Sequence, residues 1–120
     1  MLVHAVDRGI LVVIVRVDID ISSRAYAVQD IARLVRSHLP LPVVLLLAAP
    51  VVGAATLSAV LRVHRLCSGL QVPLAVVTPS GAARRILRAS ADSTPHFPLG
   101  VFATAESALA TCATAHDASA

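Results

Sequence analysis

Every residue from Leu39 to Leu61 lacks a formal charge. A helix that spans a bilayer needs about 20 consecutive apolar residues, continuously hydrogen-bonded. This run has the length but not the continuity, because Pro50 and Gly53 interrupt it. Before the break, "VVLLLAA" (Val43–Ala49) is a short apolar run between prolines, the length of a buried strand. After it, Leu57, Val60, Leu61, His64 and Cys67 recur at helical spacing, with Arg62 and Arg65 on the opposite face. The run therefore predicts a strand, a tight turn and an amphipathic helix, without membrane insertion.

The flanking segments repeat the alternation. "ILVVIVRVDIDI" (Ile10–Ile21) is rich in β-branched residues, and Val15, Val17, Ile19 and Ile21 alternate with Arg16, Asp18 and Asp20. That pattern predicts one strand with a half-exposed end. "VDRG" (Val6–Gly9) reads as a turn, which makes Leu2–Val6 a hairpin partner. Ser22 and Ser23 offer an N-cap to a helix whose stripe is Val28, Ile31, Leu34 and Val35, closed by Pro40 and Pro42. Gly69 is the expected C-terminal stop of the second helix. "PLAVVTP" (Pro73–Pro79) is a further buried strand. Ser80 then opens a helix with Ile86 and Leu87 inward and Arg84, Arg85 and Arg88 outward. "LGVFAT" (Leu99–Thr104) is a last strand and "AESALATCATA" a last helix, with a frayed tail over residues 116–120.

Strands alternating with helices imply right-handed crossovers and a parallel sheet. The expected fold is α/β: one domain over residues 1–115, with about four helices. Its sheet has four or five mainly parallel strands and an antiparallel N-terminal edge strand.

Composition narrows the functional classes. The chain is 57% hydrophobic, 2% aromatic and 14% charged, so its core is aliphatic. The formal charge of +3 comes from arginines dispersed between Arg8 and Arg88, without the dense basic face and interleaved aromatics of a nucleic-acid binder. Cys67 and Cys112 stand singly, in apolar surroundings that suit buried thiols; a disulfide would require their two helices to pack side by side. No export signal precedes the first strand, which leads to the expectation of a cytoplasmic protein.

Chemistry-bearing patterns are sparse. His4, His38, His64, His96 and His116 are scattered, and none lies at a suggestive spacing from a nucleophile. His64 falls on the inward face of a helix as a structural histidine. Asp18 and Asp20, two apart on a strand, would point to one side, but no third metal ligand accompanies them and a solvated strand end accounts for both. "TPSGAARR" has one glycine and no lysine, unlike a phosphate-binding loop. Neither an enzyme nor a cofactor or metal site is expected.

Three segments in order resemble the STAS domain (sulfate transporter and anti-sigma factor antagonist) over about residues 10–113. "VDIDISSRAYAVQDIARLV" is similar to the family's G-E-L-D segment and first helix, with Asp20 at the aspartate. "PVVLLLAAPVVGAATLSAVL" is similar to V-x-L-D-L-S-x-V-x-F-x-D-S-S-G-L-x-x-L. "LAVVTPSGAARRILRAS" is similar to L-x-L-x-x-P-S-x-x-V-R-R-x-L. In regulated members the D-S-S-G turn carries the serine that a partner kinase phosphorylates. Here Gly53 stands at the aspartate, Ala54 at that serine, Ala55 at the second serine and Thr56 at the glycine. The scaffold matches and the phosphorylation switch does not.

A phosphate there would place nearly two negative charges at a helix N-terminus and oppose a docked partner. Without the hydroxyl, the turn stays in the uncharged state. Thr56 and Ser58 retain hydroxyls, read as a helix-start residue and a surface residue. The resemblance thus implies a protein-interaction module that binds without phospho-control. The implied surface comprises Asp20, Ser22, Val52, Gly53, Ala54, Ala55, Thr56, Leu57, Ser58, Pro79 and Ser80. Its partner would be a kinase-like anti-sigma factor. Alternatives are an ABC-transporter subunit, with the chain as the accessory protein of a lipid or anion transport complex, and a second copy of the chain in a homodimer. Redox sensing through Cys67 and Cys112 is a further option.

Overall fold

The computed structural model describes residues 2–49, 51–91 and 99–119. In chain order its elements are β1 (Leu2–Asp7), β2 (Ile10–Val15), α1 (Arg24–Ser37), β3 (Val43–Leu47), α2 (Ala54–Gly69), β4 (Leu74–Val77), α3 (Gly81–Ala91), β5 (Gly100–Phe102) and α4 (Ala105–Ser119). The five strands form one sheet in sequential order. β1 is antiparallel to β2, and the remaining pairs are parallel.

The hairpin between β1 and β2 turns on Arg8 and Gly9, with φ of 54° and 75°. A two-residue turn with both central φ values positive matches the right-handed twist of its strands. From β2 onward each crossover steps to the next position, so right-handed connections place α1, α2 and α3 on one face. The core confirms this by residue parity. Leu11, Val13, Val15, Val43, Leu45, Leu47, Leu74 and Val76 pack beneath those helices against Ile31, Val35, Val60, Val63 and Leu87. The alternate residues, Ile10, Val12, Val44, Ala75 and Val77, face Ala108 and Cys112 of α4. Burial on both faces explains why these strands read as unbroken apolar runs.

The uncharged run divides as its punctuation implied, into β3 and the start of α2, although Pro50 itself lies outside the described residues. Among the described residues, no helix is long and apolar enough to cross a membrane.

Four local expectations need correction. β2 stops at Val15, not Ile21, because its parallel partner β3 ends at Leu47 and the last ladder bond runs from the Ala48 amide to the Val15 carbonyl. Beyond it Val17 is 48% exposed and Ile21 77% exposed; only Ile19 turns inward. Ser23 is the N-cap of α1, but neither serine hydroxyl bonds a helix amide; instead the Asp20 carboxylate accepts the Ser23 amide and the Ser22 hydroxyl at 2.8 Å each. α2 ends at Gly69 as expected, but glycine does not supply the closing conformation: Leu70 is the C-cap and Gln71 adopts the positive φ. Finally, Ile86 is 50% exposed while its neighbour Leu87 is fully buried, so only Leu87 belongs to the α3 core stripe.

Cys67 and Cys112 are free and buried in the two different cores, on opposite faces of the sheet. The side-by-side packing that a disulfide needs is therefore missing. Burial pushes the Cys67 thiol up to about 12, and raises Cys112 as well, which holds both in the unreactive protonated form.

The contrast between adjacent α3 residues is testable. Leu87→Ala should cost about 2–5 kcal/mol in urea titrations, as expected for a core cavity. Ile86→Ala should change stability by no more than about 0.5 kcal/mol. Equal losses at both positions would contradict this assignment of the buried face.

Candidate functional site

The turn between β3 and α2 is held by a residue 35 positions earlier in the chain. Gly53 is the N-cap of α2, with φ −87° and ψ 175°, and has no side chain to offer the helix. Asp18, on the loop after β2, supplies one. Its Oδ1 accepts the Gly53 amide at 3.0 Å and the Thr56 hydroxyl at 2.5 Å. Thr56 Oγ1 in turn accepts the Ile19 amide at 2.7 Å. The hydroxyl is thus donor to one loop residue and acceptor from the next, and Thr56 is only 2% exposed.

Several physical terms act together here. A carboxylate at a helix N-terminus satisfies orphan amides and meets the positive end of the helix dipole. The Thr56 hydroxyl and then the Gly53 amide hold the Asp18 carboxyl below the usual carboxylate range. Glycine also leaves the carboxylate room: a Cβ at position 53 would lie 3.0 Å from Asp18 Oδ2, so a larger residue would require the Asp18 side chain to shift. The related motif has aspartate at this position. In this chain the carboxylate arrives from the neighbouring loop, and glycine makes room for it.

The structure brings some of the expected residues together and separates others. Gly53, Ala54, Ala55 and Thr56 form the start of α2, with Ala54 exposed, Gly53 and Ala55 half-buried and Thr56 buried. Val52 and Leu57 pack toward the main core. Ser58 is half-buried, with its Oγ 3.4 Å from the Arg24 guanidinium. Asp20 and Ser22 lie on the same loop as Asp18 but serve α1, and the Ser22 hydroxyl holds the Asp20 carboxyl below its ordinary value. Pro79 and Ser80 open the next crossover. The Ser80 hydroxyl accepts the Ala83 amide at 3.2 Å, and the Arg84 guanidinium donates to the Thr78 carbonyl at 2.9 Å. Among the described residues no hydrogen bond joins Pro79 or Ser80 to the α2 turn.

Asp18 is the site residue that sequence reasoning passed over, having treated it with Asp20 as a solvated strand end. The two do not point together, because the chain has left the strand and each carboxylate meets a different helix. Two signals bore on the assignment: a glycine where the motif has an acid, and an extra acid in "DID". The apolar surface expected around Val51 is present, with Val51 72% exposed, whereas the exposure of Val17 and Ile21 on the Asp18 loop was unforeseen. Among the described residues, no group of three or more His, Cys, Asp or Glu side chains could hold a metal ion.

No family model matches the chain, and no curated relative does. The fold itself has a solved counterpart. The chain is similar to the crystal structure of a candidate anti-sigma factor antagonist from Thermotoga maritima, with a TM-score of 0.72 and 11% identity, over 92% of this chain and 93% of that one. At that identity the likeness establishes the fold alone: a mixed sheet covered by helices on both faces.

The clamp yields a stability prediction with a sign. Asp18 is stabilised as the anion in the folded state, so its contribution is complete above the ordinary carboxylate pKa and is lost as pH falls through the lowered folded value. Asp18→Ala should destabilise by about 1 kcal/mol at pH 7, as loss of an N-cap does, and flatten the acid limb of the stability profile. Adding Gly53→Asp to that variant should restore most of the loss, because the cap then comes from the helix itself. Thr56→Val should cost about 1–3 kcal/mol by leaving the buried Ile19 amide without its acceptor. Denaturant titrations from pH 3 to 7 measure all three; a double variant weaker than Asp18→Ala would contradict the exchange of caps.

Proposed function

We propose that this chain is a non-enzymatic protein-interaction module of the anti-sigma factor antagonist kind, docking its partner through the β3–α2 turn without phosphorylation control. The observation that carries the reading is Ala54. It is exposed at the first residue of α2, where the motif has its phosphorylated serine, and it has no hydroxyl. The hydroxyls nearby are otherwise engaged: Thr56 is buried between Asp18 and Ile19, and Ser58 is half-buried beside Arg24.

The surroundings suit a docking surface. Val51 on the turn, with Val17 and Ile21 on the loop that Asp18 ties to it, present apolar side chains to solvent. Exposed apolar residues gathered at one end of a sheet are a feature of interaction sites. The Asp18 carboxylate ties Gly53 and Thr56 to the neighbouring loop with no partner present, and a pre-ordered loop loses less entropy on binding. The partner in this reading is an anti-sigma protein.

Affinity capture from the native host with tagged protein, followed by mass spectrometry, tests the reading. A single protein should be enriched, and Ala54→Glu should reduce its capture at least about tenfold, since an unpaired charge would enter the contact. Ala54→Ser should leave capture unchanged until the serine is phosphorylated. Capture indifferent to Ala54→Glu would remove the turn from the interface.

A further inference from the structure

We infer that the groove between α2 and α3 receives an acidic, apolar-anchored helical segment of the partner protein. This deepens the interaction reading above and rests on it, because the groove begins at Ala54 and runs away from the turn along α2. Its volume is about 490 Å³, and it is open along one side. Leu57, Leu61 and Ile86 provide an apolar floor, and Arg62 and Arg65 stand on the same lining. Ile86, 50% exposed, carries the apolar floor from α2 onto α3.

Charge specifies what covers it. α2 and α3 together carry Arg62, Arg65, Arg84, Arg85 and Arg88, half of the chain's ten cationic side chains, and not one aspartate or glutamate. Arg84 is occupied with the Thr78 carbonyl and Arg88 with the Val101 carbonyl. Arg62 and Arg65 have no carboxylate partner among the described residues; the ion pairs there join Arg8 to Asp7 and Arg33 to Asp30. Two unpaired guanidiniums beside an apolar floor complement leucine-type anchors flanked by carboxylates, the arrangement of an amphipathic acidic helix. A nucleic acid fits less well, because neither helix exposes an aromatic ring on which a base could stack, the His64 imidazole of α2 being buried.

A library of random 16-residue peptides displayed on phage and panned against the chain tests this. The enriched peptides should be net negative, with apolar residues three and four apart. Their binding should fall about tenfold in the Arg62→Glu/Arg65→Glu variant, since two exposed charge pairs turn from attractive to repulsive, and by a similar factor in Ile86→Asp. All three positions are solvent-facing, and thermal melts of the variants check that the fold persists. Amide shifts in the unaltered protein, titrated with a selected peptide, should centre on Leu57, Leu61 and Ile86. Enrichment of neutral or basic peptides, no enrichment, or binding indifferent to both variants overturns the inference. So does a 20-base-pair duplex or a phosphatidylglycerol vesicle that binds more tightly than the selected peptides. The two levels separate cleanly. Peptides that map to the groove while Ala54→Glu leaves partner capture unchanged uphold the groove and refute the turn. Partner capture sensitive to Ala54→Glu but indifferent to Arg62→Glu/Arg65→Glu refutes the groove and upholds the turn.

Discussion

A parallel sheet buried on both faces must be covered on both, and this requirement organises the whole chain. The strands β2 to β5 advance in one direction, so every crossover helix falls on the same side. Three helices therefore crowd one face, and α4 alone covers the other. The crowding has a functional corollary. Each crossover returns from the C-terminal end of a strand into a helix N-terminus, so the starts of α1, α2 and α3 all lie along one edge of the sheet. The helix-start chemistry described above is confined to that edge because the topology leaves it nowhere else.

Along that edge the chain caps its helices in three different ways. α1 takes the Asp20 carboxylate from its own approach, α3 takes the Ser80 hydroxyl at its own N-cap, and α2 borrows Asp18 from the preceding crossover. The borrowed cap leaves the α2 start small and uncharged on its outer side, with the anion placed behind it. A turn built from Gly53, Ala54 and Ala55 would otherwise be a weak helix start, since none of the three offers a capping oxygen.

Most of the architecture was legible in the sequence, and the reason is strand burial. Runs such as "VVLLL" and "LAVV" are apolar without alternation because both faces of each strand are covered, and prolines and glycines mark their limits. The hairpin was legible from Arg8-Gly9. What misled was a coincidence of period. Val15, Val17, Ile19 and Ile21 alternate like a strand, yet beyond Val15 only Ile19 is buried, by a loop conformation, while Val17 and Ile21 are exposed. Strand pairing is a two-body property, and the end of β3 that terminates β2 lies more than thirty residues away in sequence. The Asp18 clamp was illegible for the same reason. Its partners Gly53 and Thr56 are distant, and only folding sets them beside it. Ile86 and Leu87 were indistinguishable by hydrophobicity, and the rotation of α3 against the sheet separates them.

The clamp also has a dynamic meaning. Because one carboxylate and one hydroxyl join the loop after β2 to the first turn of α2, opening either segment breaks hydrogen bonds of both. The amides of Ile19 and Gly53, more than thirty residues apart, thereby belong to one hydrogen-bonded unit. Local unfolding in proteins proceeds in such cooperative units, which often follow contiguous motifs. Here the unit is stitched across two crossovers, and its two threads are side chains rather than backbone ladders.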